Sequence, residues 1–403
     1  MTVVAILGLG FLILVHEAGH FFTARAVGMN PRRFYVGFPP ALVKWNRNGI
    51  EYGLGSIPLG GYVKIPGMHR PSPSDADMHF GRAIAERPQL FPLVTALRRR
   101  LEEGEMEAAR RELDTIEETL PDAPLSPGAR KTAERGIQEL RDALGADAYW
   151  RQRTWKKVAV IFAGPGTNLL LALVLFTVLF MLSGGKLTGK VAQVQSNTPA
   201  AKVGLQAGDR IVAIDGRRVA PTQIRDRIAG SHGRPLTLVV RRHGQRVALG
   251  PARPEKKDGV YRLGFVLHAP GLAAPAAVWH SLKLTGEIAK RTAFVIKGLV
   301  HHEVRKQISS PVGITEVSTQ ALHEGLQSYL WVLGFLSLSL ALLNLLPLLP
   351  LDGGHIAFSL VEGLRGRAVG REVYERVSVI GIALVLMLYV IGLSNDVGRL
   401  GGG

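Results

Sequence analysis

Three ionisable residues interrupt an apolar run near the start of the chain, and this feature limits the possible folds most strongly. The run "GLGFLILVHEAGHFFTARAVG" extends from Gly8 to Gly28 and contains His16, Glu17 and His20. An uncompensated ionisable group at bilayer depth costs about 2.5–3.5 kcal/mol on insertion scales. A chain that places three of them together therefore needs something that compensates them, such as a bound ion.

Four segments are long and apolar enough to cross a bilayer, which requires about 20 helical residues. They are Thr2 to Ala24, Val158 to Leu182, Tyr329 to Leu349 and Val377 to Leu393. The first segment is not typical of a cleaved signal peptide. It lacks a basic N-terminal region, and His-Glu occupies the place of the small-residue cleavage site. We therefore expect a polytopic α-helical membrane protein with four transmembrane helices.

Basic residues near the ends of these segments set the expected orientation. Lys and Arg cluster after the first segment, before the second, and between the third and fourth, whereas only Lys186 and Lys190 follow the second. The loops 25–157 and 350–376 are then cytoplasmic, and residues 184–328 face outward. The outward region is itself rich in Lys and Arg, but whole domains translocate largely regardless of charge.

The net charge of +17 raises the question of nucleic-acid binding. The basic residues are scattered, and the sequence has no basic stripe interleaved with aromatic residues. We expect no nucleic-acid partner, and attribute the charge to anionic lipid headgroups and to span orientation. Cysteine is absent, so any metal must be bound by nitrogen and oxygen. The sequence does not define the oligomeric state.

The chain divides into six segments by composition and periodicity. We assign 1–80 to the first transmembrane helix and a β-hairpin region that dips toward the membrane, 81–150 to a charged helical cytoplasmic insert, 155–183 to the second transmembrane helix, 185–268 to a small β-rich domain, 275–327 to an amphipathic helix and linker, and 328–403 to the last two transmembrane helices.

Local signals support these assignments. "NRNG", from Asn46 to Gly49, predicts a hairpin turn, and the runs "DRIVAIDG" and "RPLTLVVRRHG" predict strands. The apolar spacing between Gly81 and Ala146 predicts a solvated helical hairpin with one apolar face, which we favour over a dedicated regulatory module. The helix expected from Pro275 to Leu299 either lies on the membrane surface or packs on the β-rich domain.

His16 and His20 lie one helical turn apart on the same face, so both side chains can bind one ion. Two imidazoles at this spacing suit Zn²⁺, and Glu17 beside the first suits the general base of a hydrolase. The competing interpretation is two hydrogen-bonded core histidines and a stray acid. Within a membrane span, we favour the metal, because the isolated groups are otherwise hard to sustain.

A catalytic zinc usually has three protein ligands and one open position, so a third ligand is required. Asp352 follows the apolar run in "LLNLLPLLPLDGGH" and precedes Gly353 and Gly354, which allow close backbone approach. A turn or cap role for Asp352 is the alternative, and His355 is a second candidate ligand.

Together, "HEAGH" in the first span and "NLLPLLPLDGG" near the last ones resemble the site-2 proteases, which are intramembrane zinc metalloproteases. "FAGPGTN" resembles the Gly-x-x-x-Asn segment of that family, and "PLGGYVKIPG" its membrane-associated β-hairpin. "NTPAAKVGLQAGDRIVAIDG" resembles the PDZ domain of the bacterial branch that regulates sigma factors, and "SSPVGI" the motif before the third core span. The resemblance covers most of the chain.

The resemblance implies that His16, His20 and Asp352 bind zinc and that Glu17 is the catalytic base. It also implies that Asn344 and Pro347 help to seat the substrate, although Asn344 is equally consistent with helix packing. The implied substrate is the transmembrane segment of a single-pass protein, such as an anti-sigma factor or a remnant signal peptide, cleaved in the cell membrane during regulated intramembrane proteolysis.

Two features depart from the family pattern. "VGFPP" stands where the family usually has Gly-Phe-Gly-Pro, and the insert at 81–146 is longer than expected. Two rival functions remain: a membrane-anchored PDZ adaptor with a vestigial metal site, and a zinc transporter. The adaptor would have no need of Glu17 as a base. The transporter would need polar residues along several spans, but the third and fourth spans have few.

Overall fold

The computed structural model describes residues 1–257, 259–297, 310–367, 369 and 371–401. The chain forms two compact units, one made of Met1–Ala172 with Glu287–Gly403 and the other of Leu173–Gly286. Over the described residues, four helices are long and apolar enough to cross a membrane, as predicted. The protein is therefore a mainly helical membrane protein.

Helix α1 is Thr2–Ala26, and His16, Glu17 and His20 within it are all buried. The helix extends to Ala26, two residues beyond the predicted end. Almost all residues from Thr2 to Val15 are apolar, so the helix has no polar face along its first four turns. The buried polar groups therefore lie at one place on an otherwise apolar helix.

A long antiparallel hairpin follows, with strands β1 (Arg33–Arg47) and β2 (Ile50–Lys64). The predicted turn is confirmed: Asn48 and Gly49 have φ angles of 52° and 75°, as a two-residue hairpin turn with positive φ at both positions requires. Arg33 at the start of β1 aligns with both Glu51 and Lys64. The hairpin thus folds back, so that both ends of β2 flank the first residues of β1.

The charged helical insert differs from the hairpin of helices that its sequence predicts. It contains four helices around one apolar core: α2 (Pro73–Glu86), α3 (Phe91–Glu103), α4 (Met106–Thr119) and α5 (Pro127–Leu144). Helix α2 begins eight residues before Gly81, because Ser72 and Asp75 form a capping box in which the Ser72 backbone N–H donates to Asp75 (2.7 Å).

Helix α6 (Thr154–Ser183) is the second candidate span and begins four residues earlier than Val158. Its first part belongs to the same unit as α1. There Gly19 of α1 lies directly against the Ala163 carbonyl of α6, so close that a side chain at Gly19 would collide with it. The two helices therefore pack backbone to backbone beside the buried histidines.

The second unit is a small β-rich domain, as its sequence predicts. Its elements are β3 (Val191–Val194), α7 (Pro199–Lys202), β4 (Arg210–Ile214), β5 (Arg217–Arg218), α8 (Ile224–Ala229), β6 (Leu236–Arg242), β7 (Gln245–Ala252), β8 (Glu255–Lys257), β9 (Val260–Arg262) and β10 (Phe265–Leu267). The largest sheet has the order β5-β4-β6-β7, and β3 pairs with β10. Strands β4 and β6 confirm the two strand predictions.

Helix α9 (Ala274–Lys297) is the predicted amphipathic helix. Within the second unit, its Ser281 hydroxyl shares a hydrogen bond of 2.9 Å with Thr177 near the end of α6. Trp279 and Leu282 are exposed. Residues 298–309 of the predicted helix and linker (275–327) lie outside the described residues, as does the predicted helix end at Leu299.

The last part of the chain contains α10 (Pro311–Glu324), α11 (Leu326–Asn344), α12 (Asp352–Arg365) and α13 (Arg371–Gly401). The prediction that the third span reaches Leu349 is wrong, since α11 ends at Asn344. Pro347 and Pro350 lack the backbone N–H that a continuing helix needs, so the chain turns there and starts α12.

Candidate metal centre

His16 and His20 converge on one point beside α1. Their Nε2 atoms lie 3.2 Å apart, and their rings meet edge to face with centroids 4.8 Å apart. Helical geometry explains the approach, because side chains four residues apart stack along one face. The local sequence alone therefore creates a pair of imidazole donors.

Asp352 completes the cluster from the other end of the chain. Its Oδ2 atom lies 3.2 Å from His16 Nε2 and 3.5 Å from His20 Nε2. Among the described residues, these three side chains are the one group of three or more His, Cys, Asp or Glu whose donor atoms all lie within 4.8 Å of one another. The predicted candidates thus meet in the folded protein.

The geometry of the three donor atoms fits a zinc ion. They form a triangle with sides of 3.2, 3.2 and 3.5 Å. Ligands that bind zinc tetrahedrally at about 2.0–2.1 Å lie about 3.3–3.4 Å apart, so the triangle matches one face of that tetrahedron. Asp352 Oδ2 is buried and has no hydrogen-bond partner within the described part of the chain. A buried carboxylate oxygen requires a donor or a cation, and a zinc ion meets that need.

The ring of His20 is oriented by a backbone carbonyl of α6. His20 Nδ1–H donates a hydrogen bond of 2.8 Å to Val160 O. This bond fixes the tautomer in which Nε2 carries a free lone pair directed toward Asp352. His16 Nδ1 faces a different group, the side-chain amide of Asn168, at 3.5 Å.

Gly164 of α6 leaves room for the cluster. A Cβ atom at this position would overlap His20 Nε2, the atom that faces the other two donors. Gly164 and Asn168 are four residues apart on α6, the same spacing as His20 and His16 on α1. The Gly-x-x-x-Asn segment therefore runs beside the two histidines, one residue against each.

Asp352 is held at the first turn of α12 by a tight loop. Side chains at Gly353 or Gly354 would collide with backbone atoms of Leu345, Leu346 and Leu348–Leu349. The glycines thus allow the start of α12 to fold onto the end of α11. A carboxylate in the first turn of a helix is also favoured by the helix dipole.

Two buried polar contacts fasten α12 in place. Tyr149 and Ser359 share a hydrogen bond of 2.9 Å, and Lys157 Nζ lies 3.0 Å from Glu362 Oε2. None of these four residues was predicted as part of the site, because their pairing depends on how distant parts of the chain pack together.

Glu17 lies beside the cluster and against the hairpin. It is buried, and the backbone N–H of Val63 in β2 faces its carboxylate. Gly61 lies so near that a Cβ there would be 2.8 Å from Glu17 Cγ. The hairpin therefore passes directly alongside the acid next to His16.

The other predicted residues are not part of the cluster. Asn344 is the half-buried last residue of α11, and Pro347 is exposed in the following turn. His355 lies one turn into α12 with its ring against Tyr374, centroids 6.1 Å apart. Burial lowers the pKa of His355 to about 4, so its ring is neutral at pH 7. The converging set contains Asp352 and not His355.

Comparisons with known proteins agree on one family. The sequence profile described as "Peptidase family M50" matches residues 4–388. A protein of Agrobacterium fabrum named as a candidate zinc metalloprotease is 30% identical over 98% of this chain and 95% of its own length. A similarly named protein of Mesorhizobium japonicum is 31% identical over 96% of this chain and 95% of its own. One of Lactococcus lactis is 28% identical over 97% and 96%.

Proposed function

Because the chain belongs to peptidase family M50, the site-2 protease family of zinc metalloproteases, we propose that it cleaves transmembrane segments of single-pass membrane proteins. The proposed substrates are of the anti-sigma factor or remnant signal peptide type, and the process is regulated intramembrane proteolysis. The observation that carries the proposal is the triangle of His16, His20 and Asp352 at the buried end of a membrane helix.

His16, His20 and Asp352 are the proposed zinc ligands, and the donor geometry described above supports them. Zinc bound there would supply Lewis-acid chemistry and lower the pKa of water to about 7. The protein itself supplies the dry surroundings, since all three side chains are mostly buried. Electrostatic interactions are stronger in such surroundings than in water.

Glu17 is the proposed general base. Its position next to His16 in the chain places its carboxylate beside the cluster, and Val63 and Gly61 of β2 limit the orientations that it can adopt. The carboxylate takes a proton from the water that adds to the scissile carbonyl carbon, and it later gives this proton to the amine that leaves as the C–N bond breaks. A positioned group of this kind typically contributes about 10²- to 10⁴-fold to the rate.

The hairpin is the proposed seat of the substrate. A helical substrate hides its carbonyls in i→i−4 hydrogen bonds and must unwind before it is cleaved. The part of β2 from Gly61 to Lys64 pairs in register with Arg33–Val36 of β1 and also passes Glu17. An unwound segment that adds to this sheet as a strand would be held extended beside the base. Asn344 and Pro347, in the turn before Asp352, are proposed to contact the same segment.

The membrane arrangement completes the proposal. The four candidate spans support a membrane location, and the proposed membrane is the cell membrane. The basic residues near the span ends support an orientation in which the metal centre lies toward the cytoplasm. The β-rich unit, whose sequence resembles a PDZ domain, is then extracytoplasmic, where it filters substrates by size or binds their ends. The hairpin is the membrane-associated element.

A reconstituted cleavage assay tests the proposal. Purified protein in lipid vesicles is mixed with a single-pass substrate that carries a remnant signal peptide, and zinc content is measured in parallel. Glu17→Gln should keep its zinc and lose cleavage, whereas Asp352→Ala should lose both. His355→Gln is the matched control and should keep its zinc. Cleavage that survives in Glu17→Gln would show that the assigned base is wrong. Full zinc content in Asp352→Ala would show that the assigned zinc site is wrong.

A further inference from the structure

We propose that Asn168 is a positioning residue of the metal centre: its side-chain oxygen accepts the Nδ1–H of His16 and so directs the other ring nitrogen to the zinc ion. This inference rests on the proposed function, because it concerns how one proposed ligand is held. Asn168 lies in α6, opposite the histidines of α1.

The first evidence is the surroundings of the Asn168 amide. The residue is completely buried, at 0% exposure. Its Nδ2 atom lies 3.5 Å from His16 Nδ1, at the outer limit of a hydrogen bond, and its Oδ1 atom has no hydrogen-bond partner within the described ranges. An amide oxygen left unpaired in the interior is costly, so such an atom indicates a partner that the arrangement does not yet supply.

The second evidence is the proton that zinc binding demands. When His16 Nε2 binds a metal ion, the neutral ring carries its proton on Nδ1, which then needs an acceptor. The Asn168 Nδ2 group is itself a donor and cannot accept this proton. Half a turn of the amide about its last bond exchanges Oδ1 and Nδ2. Asn168 Oδ1 then accepts a hydrogen bond from His16 Nδ1–H, so this rotation gives a partner to the oxygen and to the ring N–H.

The neighbouring ligand shows the same kind of support. His20 Nδ1–H donates to Val160 O at 2.8 Å, from the same helix α6. Helix α6 thus offers one acceptor to each histidine, a backbone carbonyl to His20 and the Asn168 side chain to His16. Gly164 lies between them on α6 and leaves the space beside His20 Nε2 free.

The backbone of Asn168 is itself anchored. Ser337 of α11 donates a hydrogen bond of 2.8 Å from its Oγ to Asn168 O, and Ser337 is also completely buried. This contact does not involve the Asn168 side chain. It therefore provides a control that perturbs the same residue without removing the proposed acceptor.

Metal binding by the purified full chain tests the inference without reference to cleavage. Zinc affinity is measured by competition with a chromophoric chelator, and Co²⁺ is used as a spectroscopic substitute whose absorption reports ligand geometry. Asn168→Leu keeps the volume but removes the acceptor, Asn168→Asp keeps an acceptor oxygen, and Ser337→Ala is the control. Thermal unfolding of each variant shows whether it is folded.

Asn168→Leu should lose about 10- to 100-fold in zinc affinity, as is typical when such a supporting hydrogen bond is removed, and should show an altered Co²⁺ spectrum. Asn168→Asp should restore the affinity and the spectrum, and Ser337→Ala should leave both unchanged. Wild-type affinity in Asn168→Leu would overturn the inference, as would equal losses in the Leu and Asp variants, which would indicate packing alone. If His16→Ala also binds zinc like the wild type, the proposed function fails together with the inference.

Discussion

Gly61 of the hairpin lies against Glu17 of the first membrane helix. A methyl group added to Gly61 would come within 2.8 Å of Glu17 Cγ and 2.7 Å of the Tyr35 carbonyl oxygen. The Tyr35 carbonyl belongs to the strand that pairs with Gly61, so the added group could not avoid both neighbours without moving the sheet. The position of the hairpin and the position of the proposed base are therefore coupled.

Gly61→Ala should lower the rate of cleavage without loss of zinc. The extra methyl group displaces either the Glu17 side chain or β2, and a misplacement of about 1 Å can cost about 10²-fold in rate. The rate of substrate cleavage and the zinc content of the same preparation check this. Gly10→Ala in α1 is the matched control, because among the described residues the added Cβ meets no atom within 4 Å beyond the adjacent residues and backbone of its own helix. Equal activity in the two variants would contradict the coupling.

Gly164→Ala should abolish metal binding at the site. The added Cβ would overlap His20 Nε2, so either the ring turns away or α1 separates from α6. Zinc content and Co²⁺ absorption of the purified variant measure the loss. Gly166→Ala on the same helix is the control, because the three nearest atoms to its added Cβ all belong to the Phe162 ring, the closest at 3.2 Å, and that ring can move. Normal zinc content in Gly164→Ala would show that this glycine is not required for the site.

The local half of the candidate site could be predicted from the sequence. His16 and His20 are one helical turn apart, and an apolar run of this length forms a helix, so their convergence follows from local geometry. The turn at Asn48 and Gly49 was predictable for the same reason, since it depends on two adjacent residues.

The contribution of Asp352, which comes from the other end of the chain, could be predicted only from the number of ligands that a zinc ion requires. A third ligand was required, and Asp352 was the acid that followed an apolar run, but no sequence pattern fixes its distance from His16. The contacts of Glu17 with Gly61 and of His20 with Val160 were not predictable, because they depend on how the hairpin and α6 pack on α1. The end of α11 was missed because the apolar run continues through two prolines that stop the helix.

Lys157→Met should destabilise the protein by removing the cation that faces Glu362, which then keeps only the Val369 N–H as a hydrogen-bond donor within the described residues. Lys157 and Glu362 are 3.0 Å apart, with side chains only 8% and 13% exposed. Removing one member of a buried pair typically costs about 3–5 kcal/mol, because the remaining charge is uncompensated. Thermal unfolding in detergent measures the effect, and a lower unfolding temperature is expected. The double variant Lys157→Met/Glu362→Gln should recover most of the loss, and if it is as unstable as the single variant, the pairing is not the cause.

The ion pair between Asp209 and Arg242 should make the β-rich unit sensitive to acid. Arg242 donates to both carboxylate oxygens of Asp209, from Nε at 2.7 Å and from Nη2 at 2.6 Å, and Gln206 N donates at 2.9 Å. Burial by itself would raise the pKa of Asp209, but the hydrogen bonds from Arg242 and Gln206 outweigh it and lower the pKa below the ordinary value.

A folded-state pKa below the unfolded one means that the pair stabilises the unit at pH values above the ordinary pKa of Asp, about 3.9. This stabilisation is lost as the pH falls through the lowered pKa. Hydrogen exchange of β4 and β6 in the full chain, corrected for intrinsic rates, should therefore increase as the pH is lowered from 5 toward 3. Asp209→Asn should exchange faster at neutral pH and lose much of this acid dependence, whereas the exposed control Asp226→Asn should behave like the wild type. An unchanged acid dependence in Asp209→Asn would assign it to other carboxylates and contradict the role of this pair, in which the Asp209 side chain is 2% exposed.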